Sequence, residues 1–236
     1  MLRTASSLIA AMALAGCGTT PNLEVICGAR DDCHSSIAMI VFTGEDAPGR
    51  CTGSLVANDI MVTAAHCLPG SLRRLGPAAD GWAVFPETDA YEARWHRISD
   101  VTTVSGTGKD VLAEDRAVIR LSEASTRPTL TVLDRALERG DPVHVPLITP
   151  DPIVYGNVQR LRTLTCRAAD AAPAIDALGE RAQDVGWLDD CPIMPGNSGA
   201  PVLDAQGRVR ALVHGGGHPT TGIAITSSPP SFDGID

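Results

Sequence analysis

Pro195-Gly196-Asn197-Ser198-Gly199-Ala200-Pro201 is the stretch on which the reading of this chain turns. A serine flanked by glycines, on a turn entered from proline and left into the apolar pair Val202-Leu203, presents its hydroxyl with nothing crowding it. Glycine, lacking a Cβ, lets the backbone bend until two N–H groups converge on one point, the arrangement a developing oxyanion needs. The donors would be Gly196 and Ser198. Glycine and serine also dominate plain turns, so the stretch acquires chemical meaning only through partners elsewhere.

Two partners stand upstream. Thr63-Ala64-Ala65-His66-Cys67 follows the strand-like run Ile60-Met61-Val62, and Asp115 heads the alternating run Arg116-Ala117-Val118-Ile119-Arg120-Leu121. A serine hydroxyl is a poor nucleophile until a base takes its proton, and an imidazole acting as that base must be held in one tautomer by a carboxylate. Asp100 and Asp110 are the fallback carboxylates, but neither heads such a run. His34, His96, His144 and His218 have no comparable surroundings and read as surface or loop histidines.

The three motifs, in this order and spacing, make the chain resemble the chymotrypsin-like (trypsin-like) serine peptidases over about Val25 to Thr226. That family is marked by Thr-Ala-Ala-His-Cys, Asp-x-Ala-hydrophobic and Gly-(Asp/Asn)-Ser-Gly-x-Pro. The resemblance implies an all-β fold, two antiparallel six-stranded β-barrels with the active site in the cleft between them. It implies Ser198 as nucleophile, His66 as base, Asp115 as its orienter and the N–H groups of Gly196 and Ser198 as oxyanion hole, acting on a protein or peptide substrate. No cofactor and no metal is required. A non-catalytic binding protein on the same barrels, or an esterase using the same triad, are the alternative readings.

Asn197 is similar to bacterial members with Gly-Asn-Ser-Gly, such as the glutamyl endopeptidases. Members activated by cleavage carry aspartate there, to pair with a newly freed N-terminus. The expectation is therefore no zymogen ion pair, and an oxyanion hole formed without proteolysis. For the substrate pocket the resemblance points to Pro192 and Ile193 at the base and Val213, His214, Gly215 and Gly216 along the wall. With no carboxylate at Pro192, cleavage after Arg or Lys is disfavoured, leaving small, apolar or acidic side chains.

Apolar runs separated by glycine, proline or charge fit this β-rich fold: 37–42, 53–56, 60–62, 82–85, 98–104, 117–121, 202–203, 209–213 and 222–226. The expected organisation is a signal at 1–16, a tether at 17–24, an N-terminal barrel at 25–127 carrying His66 and Asp115, and a C-terminal barrel at 128–236 carrying Ser198. The crossing falls near Arg127-Pro128. Residues 170–183 read as a loop or short helix, and Pro229-Pro230 argues against a C-terminal helix.

Met1-Leu2-Arg3, the apolar stretch 8–15 and the small residues after it form a secretory signal too short to span a membrane. Leu14-Ala15-Gly16-Cys17 resembles the lipobox of bacterial lipoproteins, with Cys17 as the lipidated first residue of the mature chain. Gly18 then favours the outer membrane. Without residues 1–16 the chain carries 18 basic and 28 acidic residues, a net charge of −10. That acidity, with 3% aromatics, argues against nucleic-acid partners. A monomer that is lipid-anchored in the cell envelope, or secreted, is the expected form.

Seven cysteines less Cys17 leave six, an even number suited to disulfides in an oxidising compartment. Counting alone allows fifteen pairings. The resemblance implies Cys51–Cys67 across the histidine loop, leaving Cys27 with Cys33 and Cys166 with Cys191. No Cys-x-x-Cys pair points to a metal.

Overall fold

A computed structural model describes residues 23–28, 33–43, 49–70, 76–77, 81–105, 114–133, 135, 137–150, 157–169, 185–216 and 224–227. The signal, the 170–183 segment, Asp110, His218 and residues 228–236 lie outside the described residues.

The first eight strands are β1 (Glu24–Cys27), β2 (Ile37–Phe42), β3 (Arg50–Ala57), β4 (Ile60–Thr63), β5 (Gly76–Pro77), β6 (Gly81–Phe85), β7 (Arg94–Ser105) and β8 (Arg116–Leu121). Six of them run in the order β7-β6-β2-β3-β4-β8 and close through β7–β8, with β5 added to β7. The remaining strands are β9 (Pro142–Pro150), β10 (Val158–Ala169), β11 (Gly186–Asp189), β12 (Pro201–Leu203), β13 (Val209–Gly216) and β14 (Ala224–Ser227). They run β10-β11-β14-β13-β12-β9 and close through β10–β9. The fold is all-β, two six-stranded antiparallel barrels.

β2 shows why its sequence is apolar without alternation. Successive side chains of a strand point to opposite faces. Ala38, Ile40 and Phe42 fill the first barrel, while Ile37, Met39 and Val41 pack outward with Val84 against Ile148 and Leu161 of the second. The same division separates Met61, inside, from Ile60 and Val62, which meet Leu203, Val209 and Leu212. The barrels are thus joined by two apolar patches made of their outer faces.

Three features depart from the sequence reading. β1 does not join the first barrel: it pairs in parallel with β10, from Glu24↔Val158 to Cys27↔Leu161. β11 covers β10 only at Arg167–Ala169, so the far end of β10 has an open edge that β1 fills. β9 and β10 themselves, absent from the strands read from sequence, form the longest pairing of the second barrel. His96 is 1% exposed rather than at the surface, because it shares the inward face of β7 with Ile98 and packs edge-on against Phe85.

All three disulfides are present as paired above, Cys27–Cys33, Cys51–Cys67 and Cys166–Cys191. The chain after β8 is anchored by Arg127, buried between the Phe85 and Tyr91 rings. Its guanidinium donates to the carbonyls of Ser35, Pro86 and Glu92. Burial lowers its pKa to about 10, so it remains charged at neutral pH.

Candidate active site

β4 ends at Thr63, and the small buried residues Ala64 and Ala65 let the chain dive into a single 3-10 turn, Ala65–Cys67. The Cys51 disulfide ties that turn back to β3. Closing a loop of this length contributes roughly 3 kcal/mol on the chain-entropy estimate. His66 is thereby held over Asp115, which is 4% exposed at the mouth of β8. The His66 backbone N–H donates to Asp115 Oδ1 at 2.9 Å, and ring Nδ1 lies 2.5 Å from Oδ2. A carboxylate only accepts, so the ring carries its proton on Nδ1 and leaves a free lone pair on Nε2.

The Ser198 loop is built between the Cys166–Cys191 disulfide and β12. Thr52, next to Cys51, stitches it to the first barrel. Its N–H donates to the Ser198 carbonyl at 2.8 Å and its hydroxyl to the Gly196 carbonyl at 2.9 Å, while Ile148 N–H donates to that hydroxyl. Asn197 is fully buried with both ends of its amide satisfied: Oδ1 accepts from Met194 N–H and Nδ2 donates to the Ile148 carbonyl, each at 2.8 Å. Gly196 has φ +101°, open to glycine and strained for other residues. Among the described residues the N–H groups of Gly196 and Ser198 meet no acceptor.

Ser198 Oγ donates to the His214 carbonyl at 3.1 Å. The His214 ring reaches Asp115 Oδ2 through Nδ1, so one carboxylate oxygen serves two imidazoles. Burial alone would raise the Asp115 pKa. Hydrogen bonds from His214 and His66, together with the attraction of either ring when it is protonated, overcome it and hold the group below the usual carboxylate range.

The family description "trypsin-like peptidase domain" matches residues 51–212, well over half the chain. This chain belongs to the trypsin-like peptidases. Its fold is similar to that of mouse neuropsin, a serine protease expressed in the limbic system of the brain. That match has a TM-score of 0.62 at 14% identity, over 84% of this chain and 90% of neuropsin. Likeness at this identity speaks for the fold alone.

In this serine peptidase the structure brings His66 and His214 together on Asp115 and sets the Ser198 hydroxyl on the His214 carbonyl; among the described residues no hydrogen bond joins Ser198 to His66. Of the fallback carboxylates, Asp100 turns to its neighbour's Val101 N–H. The pocket residues separate. Ile193 and Val213 are absorbed in the core of the second barrel. Pro192 and Gly216 are exposed and Gly215 half-buried, free to meet a ligand. The His214 ring is turned to Asp115, beside a register shift between Val213 and Gly215 that makes a bulge in β13. The sequence reading missed this role, together with the stitching by Thr52 and the bond from the Thr63 hydroxyl to the Thr52 carbonyl. The Thr-Ala-Ala-His motif contains Thr63, but nothing local marks Thr52.

Gly199 explains the second glycine of the motif. At φ +80°, a Cβ there would lie 2.2 Å from Thr63 Oγ1 and 2.3 Å from the Thr52 carbonyl. Both atoms belong to the first barrel, so the nucleophile loop docks on it through bare backbone. Gly199→Ala is expected to cost about 3 kcal/mol or more, from the left-handed strain and the displaced contact. A lower urea midpoint together with lost labelling of Ser198 checks this; an unchanged midpoint refutes it.

Proposed function

We propose that this peptidase is a lipid-anchored serine endopeptidase of the bacterial cell envelope. The observation that carries the reading is the Asp115–His66 pair in the same site as a Ser198 loop whose Gly196 and Ser198 N–H groups meet no acceptor among the described residues. Ser198 attacks the scissile carbonyl as His66 Nε2 takes its proton, and Asp115 stabilises the imidazolium. The N–H groups of Gly196 and Ser198 receive the oxyanion. His66 returns the proton to the leaving amine, and water hydrolyses the acyl-enzyme by the same steps. The Oγ bond to the His214 carbonyl must break before attack, a change of one side-chain torsion.

Activation by cleavage is not needed in this reading. Asn197 already uses its amide to hold Met194 and Ile148, the task otherwise left to an ion pair. The likeness to glutamyl endopeptidases therefore bears on activation. It does not extend to specificity, since His214 is committed to Asp115 and is not free to meet a glutamate. With Pro192, Gly215 and Gly216 at the surface, a small or apolar side chain before the cut suits the site.

The test is a fluorophosphonate probe on purified protein, with detection of intact mass and Ser198→Ala as control. One adduct per molecule, lost in the control, is expected. No adduct on folded protein would favour the binding-protein reading, and turnover of esters but of no peptide would favour an esterase.

The anchor rests on Leu14 to Cys17. Among the described residues no helix is long and apolar enough to cross a membrane. Cys17→Ala is expected to move the protein from the membrane to the soluble fraction, and unchanged fractionation would refute the lipid anchor.

A further inference from the structure

We propose that His66, Asp115 and His214 form a binding site for a divalent transition-metal ion, Zn²⁺, and that its occupation switches the peptidase off. Three donor atoms, an imidazole nitrogen from each histidine and a carboxylate oxygen, lie within 4.8 Å of one another. Two nitrogens and one oxygen make a donor set that zinc accepts with three protein ligands and one open position. His214 is surplus to a three-residue catalytic site, and its ring turns the pair into this set. The Asp115 side chain is 5% exposed, whereas the side chains of His66 and His214 are 37% and 22% exposed. The two partly exposed histidines thus give an ion a route in from solvent. A second grouping, Cys51, His66 and Cys67, offers no thiolate because its two sulfurs are bonded to each other.

Zinc bonds of about 2.1 Å in a tetrahedron put neighbouring donors about 3.4 Å apart. The His66 Nδ1 to Asp115 Oδ2 separation, now 2.5 Å, would open by under about 1 Å to admit the ion. Zn²⁺ then takes the Nδ1 lone pair of each ring, and each ring's proton moves to Nε2. No proton leaves the neutral rings, and the carboxylate offsets half of the ionic charge. The His66 atom that must accept the Ser198 proton is now protonated, so the base is lost. This loss of hydrolysis rests on the proposed catalytic assignment; the binding itself does not.

The experiment titrates Zn²⁺ alone by calorimetry into untagged Ser198→Ala protein in metal-free buffer. One ion per molecule is expected. In the same background, His214→Phe and His214→Asn should each weaken binding about tenfold or more; the asparagine keeps a donor for Asp115 but has no imidazole. The double substitution His34→Asn, His144→Asn removes the other described histidines that share a cavity and should bind as the parent does. No binding, or affinity unchanged in both His214 variants, would overturn the site. On protein with Ser198 intact, Zn²⁺ should slow fluorophosphonate labelling and EDTA should restore it. Zinc bound through His214 with labelling unaffected would overturn the switch. Absence of labelling in EDTA would sink the endopeptidase reading while the calorimetry still decides the metal site.

Discussion

Ser198→Ala is expected to lower kcat by about 10⁶-fold, with KM and the far-ultraviolet circular dichroism close to those of the parent. Among the described residues the hydroxyl makes a single hydrogen bond, to the His214 carbonyl, so its loss leaves one carbonyl without that donor. The loop itself is held by Thr52, by the Asn197 amide and by Gly199 against the first barrel, none of which involves Oγ. The Gly196 and Ser198 N–H groups therefore stay in place. A residual rate about 10³-fold above the uncatalysed reaction is expected from them and from substrate binding. Single-turnover kinetics on an activated peptide ester would measure this. Full activity in the variant would mean that another group is the nucleophile.

Asp115→Asn is the second large effect, an expected fall in kcat of about 10⁴-fold. The carboxylate accepts three N–H groups: the His66 backbone, the His66 ring and the His214 ring. An amide presents one accepting oxygen and one NH₂, and the NH₂ would face a donor in at least one of these contacts. The ring best able to relieve that clash is His66, by moving its proton to Nε2. In that tautomer it no longer accepts from Ser198. The loss should fall on kcat more than on KM, since substrate touches neither Asp115 oxygen in the proposed mechanism. Equal activity of Asn and Asp at this position would show that the carboxylate does not orient His66.

How far the site was legible depends on whether its signals are local. Thr63 to Cys67 is local: small residues and a cysteine around His66 record a tight turn pinned to a neighbouring strand. Asp115 was legible because the alternation from Ala117 to Leu121 announces β8, and a carboxylate at the mouth of a buried strand needs partners. Gly196 and Gly199 were legible because positive φ and a missing Cβ demand glycine. β9 was not, because Pro142, Pro146 and Pro150 argue against a strand. It is tolerated because β9 meets β12 only at Leu203↔His144 and draws its pairing from β10. β10 mixes polar with apolar residues because it lies where the barrel surface, β1 and β9 meet.

The sequence by itself determined the candidates for the site's chemistry: one serine, one histidine, one aspartate and two glycines, since each stands in a short motif whose backbone demands those residue types. Tertiary structure alone decided where β1 pairs, why His96 is buried and what His214 does. Each depends on strand register between distant segments. The bulge after Val213 shows the physical reason most directly. A side chain's face follows from its register, one residue of slip reverses it, and no neighbouring residue in the sequence records the slip.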